Sequence, residues 1–316
     1  MIAMPSVLDD VPPMFLRTLA VLFGLVWGSF LNVVIYRTPR GMSVAFPASH
    51  CPRCGSPVAS YDNIPILSFA ILRRRSRCCR EPISWRYPIV EAIGGVLSLA
   101  ILEAIILRLP PTTPLHRAAA VYLADFALAL ALVAGAFIDL EHMYIPDAIT
   151  FGGTVLGTMT ASFRDQTLVG SLLGAAVGFA VVWLPFIVVY PRVRGVVGMG
   201  LGDAKLLMLA GAWFGWGGAL WVLGLAAVQG SLAAIVTLLL RGRIEEPAAV
   251  RSEREATQKE LEALSEDERA EVERALAADP LAKEPGPGLG QARVAFGPFL
   301  SVAVIETMLF GCRLKS

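Results

Sequence analysis

The chain has 316 residues, 55% of them hydrophobic and 17% charged, with a mean hydropathy of +0.63 and a formal net charge of +1. Soluble domains usually carry about 25% charged residues, and here the charges are also gathered: residues 37–87 hold nine Arg against two acidic residues, and residues 241–295 hold nine basic against thirteen acidic residues. That distribution excludes an ordinary soluble globule, a disordered chain and a basic nucleic-acid binder, and points to an all-α polytopic membrane protein.

A helix needs about 20 apolar residues to cross the hydrocarbon. Eight stretches approach that length: 14–36, 88–108, 118–139, 147–163, 167–190, 203–216, 218–240 and 296–312. The first lacks a small-residue cleavage site, and its charge follows the apolar run, so it reads as a retained helix and not a cleaved signal. The sixth is short and rich in Gly and Trp, which suits a tilted helix or one that begins in a cavity. Positive charge selects the cytoplasmic loops. The arginine-rich loop 37–87 therefore lies in the cytoplasm, joined there by 140–146, 191–202 and 241–295, with Arg192, Arg194, Arg241 and Arg243 agreeing. Both termini then fall outside. The expected organisation is 1–36 as N-terminus and first helix, 37–87 as a cysteine-containing cytoplasmic loop domain, 88–240 as helices two to seven, 241–295 as a charged helical cytoplasmic insertion, and 296–316 as last helix and C-terminus.

Within the loop, HCPRCG (50–55) sets Cys51 and Cys54 at a spacing that lets two thiolates occupy two tetrahedral positions on one zinc ion. The other half must come from Cys78 and Cys79. Neighbouring side chains tend to point apart, so Cys79 is the preferred third ligand, with Cys78 or His50 as the fourth. The alternatives are free cytoplasmic thiols or a structural site that has lost its metal. A bound metal would be structural, because an arginine-rich loop of this size builds little core alone. Cys312, at the end of the last span, reads as a packing residue.

The insertion suggests two short charged helices with a thin apolar stripe of Leu261, Leu264, Val272 and Leu276. Ser265 and Glu268 fit a capping box, and PGPGLG (285–290) reads as a connector. A solvated hairpin without chemistry is the preferred reading, and a docking surface the other.

Ionisable residues inside spans default to function. The candidates are Glu91, Glu103, Asp125, Asp139, Glu141, Asp147, Asp203 and Glu306. Asp139, in AFIDLEHMYIPD, closes the third span, and Asp203, in MGLGDAKLL, opens the sixth. Both sit at the cytoplasmic boundary. Gly198, Gly200 and Gly202 let backbone approach closely and leave room for an extended substrate. Two carboxylates at one depth can share a proton, one as acid beside one ionised base, which is the arrangement for aspartic peptide hydrolysis. They would titrate as a pair. Against this, Asp203 can simply cap its helix, and Asp147, after Pro146, reads first as an N-terminal helix charge. Gly200, Gly202, Lys205 and Asp147 are the candidate substrate-binding or supporting residues. Asp125, Glu103 and Glu306 lie deeper. They suit buried hydrogen bonding or, in a competing reading, the proton path of a secondary transporter. A non-catalytic membrane scaffold docked through 241–295 is a third reading.

The motifs together resemble the type IV prepilin peptidases, the leader peptidase/N-methyltransferase family. GSFLNVVIYR (28–37) resembles the first-span signature. CPRCG, NIPILS (63–68) and ISWRYPIVE (83–91) resemble the cytoplasmic loop and the second span's entry. FIDLEHMYIPDAIT (137–150) and GLGDAKLL (200–207) are similar to the two aspartate motifs, and GAWFGW (211–216) and FGPFL (296–300) to the later signatures. The resemblance implies that Asp139 and Asp203 are the catalytic pair, similar in kind to that of presenilin-type proteases. It implies cleavage of the basic leader of type IV prepilins or type II secretion pseudopilins at the cytoplasmic face of a bacterial inner membrane. It also implies methylation of the new N-terminus with S-adenosylmethionine as donor. The implied partners are these substrates and membrane lipid, with no nucleic acid, and oligomeric state is left open. One departure stands out: where the family's second CxxC begins, this chain has Ser76, with Cys79 in the second position and Cys78 extra.

Overall fold

A computed structural model describes residues 7–311 except 52, 165, 195–198, 243–246, 263–264, 266–267, 270 and 274–293. Gly198, Arg243, Leu264, Leu276, the 285–290 connector and Cys312 lie outside the described residues. Among those described, every regular element is helical, and β pairing is limited to isolated bridges. The α-helices are α1 (Pro13–Arg37), α2 (Leu67–Ile71), α3 (Arg86–Ala104), α4 (Leu115–His142), α5 (Asp147–Met159), α6 (Leu168–Val182), α7 (Tyr190–Arg194), α8 (Leu201–Arg241), α9 (Ala248–Glu262) and α10 (Gly297–Phe310).

Eight crossings are predicted from sequence; among the described residues, five helical runs are long and apolar enough to cross a membrane. These are Pro13–Arg40, Arg86–Arg108, Leu115–His142, Leu168–Val193 and Leu201–Leu240. The differences have local causes. The 147–163 stretch yields only the 13-residue α5, and the last stretch the 14-residue α10. Spans 203–216 and 218–240 fall on one run, α8, interrupted at Gly215, whose φ of 74° and ψ of 179° are non-helical. An L side chain rarely adopts that φ. Between α6 and α7 the chain runs through a π-helix, Trp183–Val189. Pro185 inside it has no N–H to give the ordinary ladder, so the run widens without stopping.

The chain divides into two compact units: Met1–Ala134 with Gly152–Ser171 and Ile305–Ser316, and Gly135–Phe151 with Leu172–Val304. In the first, α1 and α3 pack through small residues. A Cβ on Gly28 would lie 2.8 Å from the Glu91 Cα, and one on Gly94 would lie 2.9 Å from the Gly28 Cα. Small residues at such a crossing let backbones touch where lipid supplies no hydrophobic drive. Leu8, Ala20, Leu102, Ile106, Ala118 and Val121 form a buried cluster. Two polar ties cross the same unit. The Asn32 amide donates to the Tyr87 carbonyl at 3.1 Å, and the Ile66 N–H donates to the Glu91 carboxylate at 2.7 Å. Glu103 is not a deep, isolated acid. It holds Arg17 at 2.5 Å with its side chain 42% exposed.

In the second unit α6 approaches α8 as closely: a Cβ on Gly174 would lie 2.8 Å from the Gly215 Cα. Of the insertion, α9 is helical and buries Val250. Ser265 makes the expected cap, its N–H donating to Glu268 Oε2 at 3.2 Å.

Candidate functional site

Asp139 lies one turn before the end of α4, and Asp203 is the third residue of α8. Both carboxylates belong to the second unit, and both are buried, at 6% and 9% exposure. They lie within electrostatic reach of each other. Each is aimed by a backbone donor. The Gly297 N–H donates to Asp139 Oδ2 at 3.0 Å, and the Gly200 N–H donates to Asp203 Oδ2 at 3.2 Å. Asp203 thus does cap its helix, from inside the first turn, where a carboxylate also meets the positive end of the helix dipole. Among the described residues each carboxylate makes this bond through Oδ2, and Oδ1 has no protein hydrogen bond.

The loop after α4 packs against the glycines beside both, Gly202 and Gly297. Met143 takes a φ of 56°, which turns the chain out of the helix, and Ile145 follows, 8% exposed. The Ile145 Cδ1 would lie 2.7 Å from a Cβ on Gly297 and 3.5 Å from one on Gly202. That same Gly297 Cβ would stand 2.6 Å from Asp139 Oδ2, so only glycine fits beneath the carboxylate. Gly202 thus lies beside Ile145 with room for ordinary van der Waals contact, and Gly200 supplies the N–H of the cap. Asp147 is the first residue of α5 and pairs with Lys205 at 2.6 Å, while the Lys205 ammonium lies 5.3 Å from the Phe151 ring centre. Lys205 and Asp147 thus form one tie between the starts of α5 and α8. Outside the spans, the Tyr144 phenol is pushed above its usual value by burial and by Glu253 of α9, which brings the insertion's helix to the residue beside Ile145. Gly297 and Ile145 are the site residues that sequence reasoning misses. FGPFL is visible as a motif, but a backbone N–H reaching a carboxylate 158 residues away leaves no mark on composition or spacing.

In the first unit the four cysteine sulfurs of Cys51, Cys54, Cys78 and Cys79 lie within 4.8 Å of one another. The Cys51–Cys79, Cys54–Cys78 and Cys78–Cys79 separations are 3.6, 3.4 and 3.9 Å. A tetrahedral ion with bonds of about 2.3 Å needs sulfurs about 3.8 Å apart, so this set can hold a metal. His50 is not in the cluster; its Nδ1 lies 3.2 Å from the Ala48 carbonyl. The expectation that adjacent cysteines point apart fails here, because both sit in a tight turn. That turn repeats the first one. His50 bridges Pro57 as Arg75 bridges Pro82. Cys51 N–H meets the Ser56 carbonyl as Ser76 N–H meets that of Glu81, both at 2.8 Å. Gly55 and Arg80 share a left-handed φ, of 72° and 60°. In this repeat Ser76 stands where Cys51 stands, and Cys78 supplies the fourth sulfur. Ser76 stays involved, its hydroxyl 3.3 Å from the Cys79 sulfur. Hydrogen bonding with Ser56 brings the Cys54 thiol down to about 6, and Cys54 in turn pushes Cys78 up to about 11.

The Bacterial Peptidase A24 N-terminal domain family matches residues 22–105, and the Type IV leader peptidase family matches residues 126–236. A Burkholderia pseudomallei protein named prepilin leader peptidase/N-methyltransferase is 34% identical over 255 residues, covering 72% of this chain and 79% of its own.

The chain belongs to the type IV leader peptidase family.

Relatives of the same name in Myxococcus xanthus and Klebsiella pneumoniae are 41% and 38% identical, over 73% and 62% of this chain. The chain spans 65% of the length of the first and 83% of the second. Both carboxylates fall within the Type IV leader peptidase match, as do Ile145 and Gly200, whereas Gly297 lies beyond it. The cysteine turns lie inside the N-terminal match. No solved structure matches this chain.

Proposed function

We infer that this leader peptidase family member cleaves prepilin leaders with Asp139 and Asp203 as its catalytic pair and methylates the new N-terminus. The family and the names of its relatives support prepilin cleavage and N-methylation. The observation that carries the residue assignment is the buried pair itself: two carboxylates in electrostatic reach, each fixed through Oδ2 by a glycine N–H. In the reaction one carboxylate, ionised, takes a proton from a water molecule. The water oxygen adds to the scissile carbonyl, and the other, protonated carboxyl gives its proton to the departing amine. In this mechanism the pair shares one proton, because two buried carboxylates in electrostatic reach of each other disfavour double ionisation. Lys205 and Asp147 hold α5 and α8 in register around it. S-adenosylmethionine, when bound, would supply the methyl group for that N-methylation.

The protein is a multi-pass helical membrane protein, and we assign it to a bacterial inner membrane with the 37–87 loop, the aspartates and the insertion on the cytoplasmic side. Eight crossings remain our reading of the topology: the break at Gly215 supports two helices in α8, and α5 and α10 supply the short ones. Substrates are type IV prepilins or type II secretion pseudopilins, whose apolar helix lies in lipid with the scissile bond at the cytoplasmic surface. Zinc is the metal that four thiolates at these separations favour, and its contribution is to hold the two loop turns together. The transporter reading is not favoured, since Glu103, one of its three carboxylates, is committed to Arg17. The test is leader removal from a co-expressed prepilin by Asp139→Asn and Asp203→Asn variants. Loss in both supports the pair, and normal processing by either removes that residue from the chemistry.

A further inference from the structure

The arginines of the cytoplasmic loop are gathered more tightly than a positive-inside bias requires. Arg73, Arg75, Arg77 and Arg80, with Ile71 and Leu72, line a cleft of about 440 Å³. A second cleft, of about 270 Å³, shares Arg73 and Arg75 and adds Arg74 and Pro82. The loop's two acids are already engaged. Asp62 holds Arg77 through bonds of 2.8 Å, and Glu81 holds Arg53 at 3.1 Å. Among the described residues, Arg73, Arg75 and Arg80 have no acidic partner. Arg73, Arg74 and Arg80 take left-handed φ values of 49°, 64° and 60°, and the turns they make set these side chains around one opening.

An apolar edge adjoins the clefts. Ile64, Leu67 and Ile71 are 46%, 52% and 64% exposed, and Leu67 and Ile71 sit one turn apart on α2. Trp85, also exposed, lies under the Arg74 guanidinium, 5.6 Å from the ring, and is the residue just before α3. The whole segment is tethered between α1 and α3, both long enough to cross a membrane. Exposed aliphatics, an interfacial Trp and unpaired arginines side by side are what a segment lying in the headgroup layer presents. The guanidinium fork matches phosphate oxygens in pairs. A basic prepilin leader would be repelled here, so the ligand this cleft suits is an anion.

We propose that Arg73, Arg75 and Arg80 bind the phosphate of an anionic phospholipid in the leaflet that α1 and α3 enter, with Ile64, Leu67 and Ile71 seated at the acyl boundary. The site docks the loop flat on the membrane it serves. Native mass spectrometry of the full-length protein, released from nonionic detergent, tests this with phosphatidylglycerol, phosphatidylcholine and inorganic phosphate as probes. Each basic residue near an anionic surface contributes roughly fivefold in affinity. The R73Q/R75Q/R80Q variant is therefore expected to lose about a hundredfold in phosphatidylglycerol affinity, while R73K/R75K/R80K, which keeps the charge but not the fork, falls between it and the wild type. L67S/I71S is expected to weaken lipid binding with the arginines intact. Near-UV circular dichroism checks that the variants are folded. The wild type gives a reading independent of any variant: phosphatidylglycerol should be held over phosphatidylcholine, and less so at high salt. Equal retention of the two lipids by the wild type, equal phosphatidylglycerol affinity in the Gln variant, or displacement of the lipid by inorganic phosphate at comparable concentration would overturn the proposal.

Discussion

At the scale of single residues, the site depends on glycine as much as on aspartate. A Gly297→Ala side chain would be driven into Asp139 Oδ2 at 2.6 Å, against an Ile145 methyl 2.7 Å away, so the carboxylate must move. Misplacing a reacting group by about an ångström costs on the order of a hundredfold. Leader cleavage by that variant should fall by one to two decades while the protein still inserts and folds, measured as turnover against a prepilin in detergent. The two aspartates were legible in sequence because acids are rare in apolar spans, and those two open and close their spans at one predicted depth. Gly297 and Ile145 were not, because their contributions are a backbone N–H and a methyl group in van der Waals contact. In the loop, Arg77 holds the Asp62 carboxyl below its usual value through a side-chain hydrogen bond. A carboxyl lowered in the folded state stabilises it fully above about pH 4 and loses that contribution as pH falls through the lowered value. The melting difference between wild type and Asp62→Asn should therefore be present at pH 7 and close on strong acidification.

At the scale of elements, the two cysteine turns are one motif written twice with a changed letter. Cys78 replaces the sulfur that Ser76 lacks, and the pairing of His50 with Pro57 and of Arg75 with Pro82 keeps both turns in shape. Cys78→Ser should therefore lose the bound metal. Ser76→Cys in that background should restore it, read as zinc per chain in the purified protein. Retention of full zinc by Cys78→Ser would show that three sulfurs suffice. The sequence pointed to a four-ligand set but not to its geometry, because adjacent side chains diverge in extended or helical chain and converge only in a turn this tight. The α1–α3 crossing carries a second prediction at this scale. A Val at Gly94 meets the Gly28 backbone at 2.9 Å, and overpacking of this kind costs about 1–3 kcal/mol, read as a lower melting temperature in detergent. Helix boundaries were the least legible part. Gly215 and Pro185 alter α8 and the α6–α7 run by backbone geometry, which a hydropathy average does not register.

At the scale of the whole molecule, composition alone separated apolar helices from a basic loop and an acidic insertion, and the all-helical architecture follows from it. The count of crossings did not follow, since α5 and α10 are shorter than a bilayer and the break at Gly215 is silent in composition. Among the described residues, Glu253 of the insertion comes within electrostatic reach of Tyr144, and the carboxylates take their hydrogen bonds from Gly200 and Gly297 outside α9. Replacing residues 243–293 with a short Gly/Ser linker should leave leader cleavage within about tenfold of wild type, whereas complete loss would favour a docking role for α9. The central claim is that Asp139 and Asp203 act as a single device. Groups that act as one give non-additive losses. The most direct measurement is the rate of prepilin leader removal by purified wild type, Asp139→Asn, Asp203→Asn and the double variant in the same lipid. We predict that each single variant falls at least about a hundredfold and that the double variant is no slower than either. Wild-type turnover by one single variant, or losses that multiply in the double, would contradict the account.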